Sequence, residues 1–477
     1  MPHDRAVPKV DVLTALDARL GDRIESAMRA HHHRRLRRVG WEQALRGAPD
    51  GWARGSTPPR DGNLLDVHVD GAAALPSMAA SIRSARTSVH VAGWAIAPHF
   101  RLEPDSPQTT VRSLLAEVAE RIPVRVLVWG GAPVPVLHPT HSETKAALAT
   151  LVAGTRIQGA RDTRNRPMHC HHEKIVIVDD EIAFVGGIDL TDMDGDRLDG
   201  APHSIRPGLG WHDAAAVVTG PSVADVAEHF ALRWVATTGE TLAPIATAGR
   251  PGGSRVQVVR TVPEHTYAAL PHGDFSVLDA YSGALRSAQR LIYLENQFLW
   301  SPEIVALLRH LLEHPPTEDF RLCIVLPQRP NNGNDDTRGQ LAVLQEADRH
   351  HRLLAGSIGP AQPGAPPVYV HAKVGIVDDR WLTVGSANLN EHSLFNDTEM
   401  NVVSDDAELA RTLRERLWSE HLDSDCTGQD PLAVLEELWR PRLATDGDHS
   451  GRLRALPAVS RRSARLMGPL KGLLVDA

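Results

Sequence analysis

Long hydrophobic runs are missing from this chain. No apolar stretch approaches the ~20 residues that a membrane-spanning helix needs, so none is expected. Cysteine is scarce as well. Cys170, Cys323 and Cys426 form an odd, widely spaced set, which argues against a disulfide framework and fits a reducing compartment. The opening Met1-Pro2-His3-Asp4-Arg5 is polar and lacks the apolar core of a secretory signal. These absences lead to the expectation of a cytoplasmic protein that touches a membrane only peripherally. What the chain does have is 42% hydrophobic and 23% charged residues over 477 positions, enough to bury a large core.

Charge is unevenly spread. Residues 1–60 hold 12 Lys/Arg against 7 Asp/Glu and residues 449–477 hold 6 against 1, so the −8 of the whole chain leaves 61–448 at −18. An acidic body is a poor clamp for a phosphate backbone, which disfavours nucleic acid as a partner. The basic ends suit either an anionic membrane surface or plain solvent. Near the start, Val12, Leu16, Leu20, Ile24 and Met28 recur every four residues and predict a helix over 10–30. The run His31-His32-His33-Arg34-Arg35-Leu36-Arg37-Arg38 that follows reads as a solvated basic surface, because neighbouring side chains on a helix diverge and would not share a metal.

From about residue 62 strand-like and helix-like segments alternate, which predicts an α/β architecture. Strands are expected at 88–94, 124–129, 291–297 and 322–326. Helices are expected at 76–85, with Pro76 in the first turn, and at 144–152, 276–289 and 302–312. The Pro/Gly-rich stretch 248–254 reads as a linker between two halves. Across it the chain repeats. HHEKIVIVDDEIAFVGGIDL at 171–190 and VHAKVGIVDDRWLTVGSANL at 370–389 match at 9 of 20 positions without a gap, at an offset of 199.

Each copy contains His-x-Lys-x-x-x-x-Asp: His172, Lys174 and Asp179, then His371, Lys373 and Asp378. The apolar runs that follow predict strands, with Asp-Asp at the turn of a hairpin. Alternation along a strand puts each His and its Lys on one side. Should the halves face each other, two imidazoles and two ammonium groups would share a pocket suited to a phosphate diester. One neutral imidazole can attack phosphorus, and the other can protonate the leaving alcohol and then deprotonate the acceptor. The lysines would neutralise the equatorial oxygens. No cofactor or metal is required. His169-Cys170-His171-His172 has metal-ligand residue types, but only alternate residues share a face and the second copy has no counterpart. Asp192-Met193-Asp194-Gly195-Asp196 lacks the glycine and the terminal glutamate of a calcium loop.

These paired motifs resemble the phospholipase D superfamily, and most of all its eukaryotic-type branch. Ile292–Phe298, Trp211-His212-Asp213, Gly385-Ser386-Ala387-Asn388 and Asp397-Thr398-Glu399-Met400 add to the likeness, which covers roughly 62–425. The resemblance implies two tandem α/β/α lobes related by a pseudo-twofold, sharing one active site at their interface. It divides the chain into a helical extension (1–61), a first lobe (62–247), a second lobe (255–425) and a basic tail (426–477). It makes His172 the nucleophile and His371 the general acid/base. Lys174, Lys373 and Asn388 would hold the phosphate. Glu399 would orient a catalytic histidine, with Asp213 in the matching role for the first half. Ser386, Asp189, Asn296 and Gln297 would lie at the substrate, and Asp179 and Asp378 would support the motif without taking a chemical step. Asp189 stands where the repeat has Asn388, as it does in the eukaryotic-type enzymes.

The function so implied is release of phospholipid headgroups, with transfer to an alcohol as a variant, by a monomer whose partner is a phospholipid. A cardiolipin synthase-like transferase, a nuclease and a non-catalytic lipid-binding protein are the alternatives. Intact His/Lys pairs argue against the last. Trp94, Trp129 and Trp300 suit core or rim packing better than an acyl site. The loops at 331–338 and 360–367 read as ordinary surface. The segments 432–439 and 466–475 are expected either to pack on the second half or to meet a membrane.

Overall fold

The computed structural model describes residues 12–55, 57–103, 106, 109–134, 137–166, 168–193, 210–245, 249–329, 334–360, 368–444 and 452–456. The loop at 361–367, the acidic turn from Asp194 onward and the segment 466–475 lie outside them. Among the described residues no helix is long and apolar enough to cross a membrane.

Among the described residues sixteen strands form one mixed sheet, fifteen of them in a continuous order and Asp274–Phe275 paired off it on Ser254–Val262. From one edge the order is Leu453–Ala455, Leu353–Ile358, Arg321–Val325, Leu291–Glu295, Val374–Val377, Trp381–Gly385, Glu399–Ser404 and Ser254–Val262. It continues with Arg60–Val69, Ala214–Thr219, Ile182–Gly186, Lys174–Val178, Val89–Gly93, Val124–Trp129 and Gln158–Asp162. Up to the antiparallel edge strand Leu453–Ala455, the order reads the same from the centre outward in both directions: a long inner strand, three antiparallel strands and then three that run parallel to one another. Buried-strand composition explains this. Ile175–Val178 and Val374–Val377 are apolar on both faces and are covered on both.

Helices lie on each face. Val223–Thr238 and Ala407–Leu422 pack into one core that runs along the sheet through both halves. Opposite them, Asp70–Ser84 and Val111–Ala119 cover the first half. Ser276–Ser287 and Pro302–Glu313 cover the second. The caps follow the sequence. Thr140 and Glu143 form a reciprocal capping box for His141–Val152, and Ser301 caps the helix that starts at Pro302.

Three expectations need correction. Pro76 lies inside the helix Asp70–Ser84, not at its start, because the chain already turns at Asp70, whose φ is +63°. The first helix runs over Val12–Val39 and takes in the whole His/Arg run. That run is not simply solvated. His32 and Arg35 are buried, His32 between Glu303 (2.7 Å) and Glu391 (2.8 Å), and Arg35 on Glu264 (2.8 Å) and the Phe395 carbonyl (2.7 Å). Burial opposes the His32 charge, but the two carboxylates outweigh it and push the ring up to about 9. The divergence that excludes a shared metal there is the same geometry that sends His32, Arg35 and Leu36, three and four residues apart, inward. Of the C-terminal segment, Leu435 and Trp439 are buried, and Leu453–Ala455 adds an antiparallel edge strand to Leu353–Ile358. These parts therefore pack on the second half.

Both motif hairpins form as expected, Lys174–Val178 with Ile182–Gly186 and Val374–Val377 with Trp381–Gly385. Asp179 and Asp180 (φ +60° and +56°) and Asp378 and Asp379 (φ +53° and +51°) make the turns. Aspartate tolerates this left-handed backbone better than most residues. The motif aspartates do a second job. The Asp179 carboxylate accepts from the backbone N–H groups of Arg86, Thr87 and Ser88, and Asp378 accepts from those of Gln289, Arg290 and Leu291. Each thereby pins the chain entering the neighbouring strand. Burial works against its charge, but those N–H groups hold Asp179 below the usual carboxylate range. Asp179→Asn or Asp378→Asn is expected to cost about 1–3 kcal/mol of stability each. Activity per folded molecule should stay near that of the parent. Denaturant melts beside active-site titration check this, and a large fall in turnover without loss of stability would contradict it.

Candidate active site

The repeat places its two histidines at places where the halves cross. His171 forms an isolated parallel bridge with Thr398, and Val370 pairs in parallel with His212. In each case the residue before a motif histidine lies beside the residue before a carboxylate of the other half. His172 and Glu173 donate their backbone N–H groups to the Thr398 carbonyl (2.8 and 3.1 Å). His371 and Ala372 do the same to the His212 carbonyl (2.8 and 3.0 Å).

The side chains follow that crossing. His172 Nδ1 lies 3.0 Å from Glu399 Oε1, and His371 Nδ1 lies 2.6 Å from Asp213 Oδ2. Each histidine is thus oriented by a carboxylate from the opposite half, a pairing the sequence reading left open. A carboxylate on Nδ1 fixes the ring and leaves Nε2 as the nitrogen that points away from it. Glu399 is itself held by the hydroxyls of Ser386 and Ser393, which donate to it. Burial pushes its carboxyl well above the usual range, against the pull of Lys174 and those hydroxyls. Asp213 accepts from the Ala214 N–H at 2.8 Å. The repeat differs sensibly at this point. Gly187 corresponds to Ser386, and a Cβ there would collide with the Asp213 carboxylate.

The lysines are buried beside their histidines. Lys174 donates to the His172 carbonyl (2.6 Å) and pairs with Asp189 (3.0 Å). Lys373 donates to the His371 carbonyl and to Gln297 Oε1, the latter at 3.1 Å. Asn388 donates to the same Gln297 oxygen (3.3 Å), and Gln297 reaches Tyr369 Oη at 3.1 Å. Asp189, Gln297 and Asn388 therefore sit with the lysines. Two expected substrate residues do something else here. The Asn296 side-chain oxygen accepts from Leu389 N (3.0 Å) and Phe298 N (3.2 Å), tying two loops together. Ser386 acts on Glu399.

Sequence reasoning gave no role to several neighbours. Ser393 carried no signal beyond lying six residues before Glu399. Trp211 packs on His371 with ring centroids 4.1 Å apart. His212 is fully buried between Asp70 (3.0 Å) and Glu295 (2.9 Å), and Glu295 also accepts from His421 (2.6 Å). Burial opposes the His212 charge, yet Asp70 and Glu295 hold the ring well above its ordinary value. Trp94, Trp129 and Trp300 are all buried, in line with core packing, though the Trp94 ring also lies 6.0 Å from Lys174 Nζ.

The comparisons agree with the sequence reading. A family model described as a cardiolipin synthase, PLD-like domain matches residues 281–420, the region of the second motif. Phospholipase D2 of Bos taurus is 25% identical over 86% of this chain and 59% of its own length. Phospholipase D A of Dictyostelium discoideum is 25% identical over 81% of this chain and 36% of its own length. The chain thus spans between about a third and three fifths of these relatives. Among solved structures, a phosphatidylserine synthase from Haemophilus influenzae Rd KW20 superposes with a TM-score of 0.54 over 79% of this chain and 90% of that one, at 12% identity, which is a likeness of fold. In sequence, the chain is phospholipase D-like over most of its length.

Proposed function

We propose that this chain is a phosphodiesterase of the phospholipase D type, acting on phospholipid headgroups through a covalent phosphohistidine. The observation that carries the reading is the crossed pair of orienting contacts, Glu399 on His172 and Asp213 on His371. Two imidazoles held in one tautomer by partners from opposite halves suit a reaction with two proton-coupled steps. In this reading the tandem lobes, divided at 62–247 and 255–425, share one site, with 1–61 as an extension before them and 426–477 as a tail after them.

His172 Nε2 attacks phosphorus and forms an N–P bond as the headgroup P–O bond breaks. The leaving oxygen takes the Nε2 proton of His371. Water, or an alcohol, then gives that proton back to His371 as it attacks the phosphohistidine, and the N–P bond breaks to release phosphatidic acid or a new phosphatidyl ester. Lys174, Lys373 and Asn388 neutralise and orient the phosphoryl oxygens. Asp189 and Gln297 hold those donors in place. The substrate reaches the monomer from a membrane surface, and turnover needs no metal.

Release of headgroup from a panel of phospholipid vesicles, with EDTA present, tests this. Release from one or more headgroup classes is expected. Added primary alcohol should divert part of the product to the phosphatidyl alcohol. Absence of release from every lipid, or its abolition by EDTA in a chain whose melting curve EDTA leaves unchanged, would overturn the proposal; cleavage of oligonucleotides in that case would point to the nuclease reading.

A further inference from the structure

His169 was set aside as a metal ligand because its neighbours in sequence do not converge with it. The structure bears out that divergence. His171 turns to Thr398 (2.7 Å) and Asp162 (3.2 Å), and His172 turns to Glu399. His169 instead meets two residues more than two hundred positions away. Its Nδ1 lies 3.1 Å from His392 Nδ1 and 3.4 Å from Asp397 Oδ1, and His392 Nδ1 lies 4.0 Å from Asp397 Oδ2.

We propose that His169, His392 and Asp397 form a binding site for a zinc-class transition-metal ion that clips together the loops leading to the two members of the His172–Glu399 pair. Ligand spacing is the first argument. Four ligands placed tetrahedrally about 2.0–2.1 Å from zinc are separated from one another by about 3.3 Å. The His169–His392 separation is within a few tenths of an ångström of that figure; the two Asp397 separations, 3.4 and 4.0 Å, run to its two different oxygens, so a rotation of the carboxylate is needed to present Oδ2 to both rings. Ligand chemistry is the second. Two imidazoles with one carboxylate favour zinc, cobalt or nickel over magnesium or calcium.

The third argument is an unsatisfied group. Asp397 is 1% exposed, and its Oδ2 is buried without a hydrogen-bond partner. A buried carboxylate oxygen left this way is costly unless something positive meets it. The other oxygen, Oδ1, is oriented by the Cys170 N–H at 2.8 Å, as carboxylate ligands commonly are by a neighbouring donor. Backbone geometry presets the rest. Residues 392–396 form a single π-turn, in which Asp397 N–H donates to the His392 carbonyl at 2.8 Å and brings both ligands to one side. His169 retains 8% exposure at the rim, which gives an ion a way in. The buried set His212, Glu295 and His421 lacks such a path, since none of the three is exposed. Three protein ligands leave a fourth position for water or an anion.

The ion is proposed to organise the loops, and it takes no part in turnover. Its test is therefore a binding measurement that stands apart from lipid cleavage. The full chain, stripped with EDTA and desalted, is titrated with Zn2+ against a chromophoric chelator, and with Co2+ followed by visible absorption. One Zn2+ per chain, a raised melting temperature, and the strong d–d absorption of four-coordinate cobalt are expected. His169→Gln and His392→Gln should each weaken binding about a hundredfold or more, while the exposed His33→Ala should leave it unchanged. Circular dichroism and the melting curve of the metal-free variants establish that each is folded; because His169 lies at the rim, its variant keeps the test alive if His392→Gln fails to fold. Absence of stoichiometric binding by the parent, or binding that survives His169→Gln undiminished, would overturn the site.

Discussion

His172→Ala is expected to abolish headgroup release, with a fall in kcat of about 10⁴-fold or more, because it removes the atom proposed to bond to phosphorus. His371→Ala should be comparably slow on natural lipids, where the leaving alkoxide must be protonated, a task commonly worth about 10²–10⁴. The two variants should separate on a phosphatidyl ester of p-nitrophenol, whose leaving group needs little protonation. His371→Ala should then release close to one equivalent of nitrophenol per chain in a burst and stall as the phosphohistidine, which acid-stable mass analysis of peptides would not retain but base-stable analysis would. His172→Ala should show no burst. A burst from His172→Ala, or phosphorylation found on residue 371 in the parent, would reverse or refute the assignment.

The crossed carboxylates yield the second large effect. Glu399→Gln and Asp213→Asn keep side-chain volume but replace an acceptor that selects the Nδ1–H tautomer, and comparable changes in histidine–carboxylate pairs reduce kcat by up to about 10⁴. The losses should belong to different steps. Glu399 touches His172, so Glu399→Gln should suppress the burst with the activated ester. Asp213 touches His371, so Asp213→Asn should leave that burst largely intact and slow the breakdown of the intermediate. In both, KM should change far less than kcat, since neither carboxylate touches the substrate. The pH profiles should shift as well. Burial holds the Glu399 carboxyl above the ordinary range, so the parent's activity should rise with pH as that carboxyl loses its proton. That limb should shift in Glu399→Gln, which has no proton to lose there. The same step failing in both variants would mean that the contacts do not act on the histidines they touch.

Much of the site is local and therefore legible in sequence. A strand followed by Asp-Asp and a returning strand needs only apolar alternation and residues that tolerate positive φ. His-x-Lys at that strand's start places two side chains together by backbone geometry alone. Duplication at an offset of 199 turns a weak motif into a specific one, which is why the two histidines, the two lysines and the supporting aspartates can be found without coordinates. The helix expected over 302–312 belongs to the same class, and the structure has it as Pro302–Glu313 with Ser301 as its cap.

What lay beyond the sequence involves contacts between segments far apart. Nothing in the spacing says that Glu399 serves His172 and that Asp213 serves His371, because those pairs are 227 and 158 residues apart and the crossing depends on which strand ends lie side by side. His32 and Arg35 read as solvent-facing charge because a hydropathy pattern cannot see the carboxylates of Glu264, Glu303 and Glu391 waiting across the interface. Pro76 read as a helix start because the turn at Asp70 is stabilised by the backbone around Asp213, to whose carbonyl Asp70 donates its N–H at 2.8 Å. The sequence by itself determined which side chains are the candidates for the chemistry, since spacing along a strand is a property of the backbone. Only the tertiary structure decided which carboxylate holds each histidine, and that His169 meets His392 and Asp397, since both depend on where the packing of a shared core brings distant loops to rest.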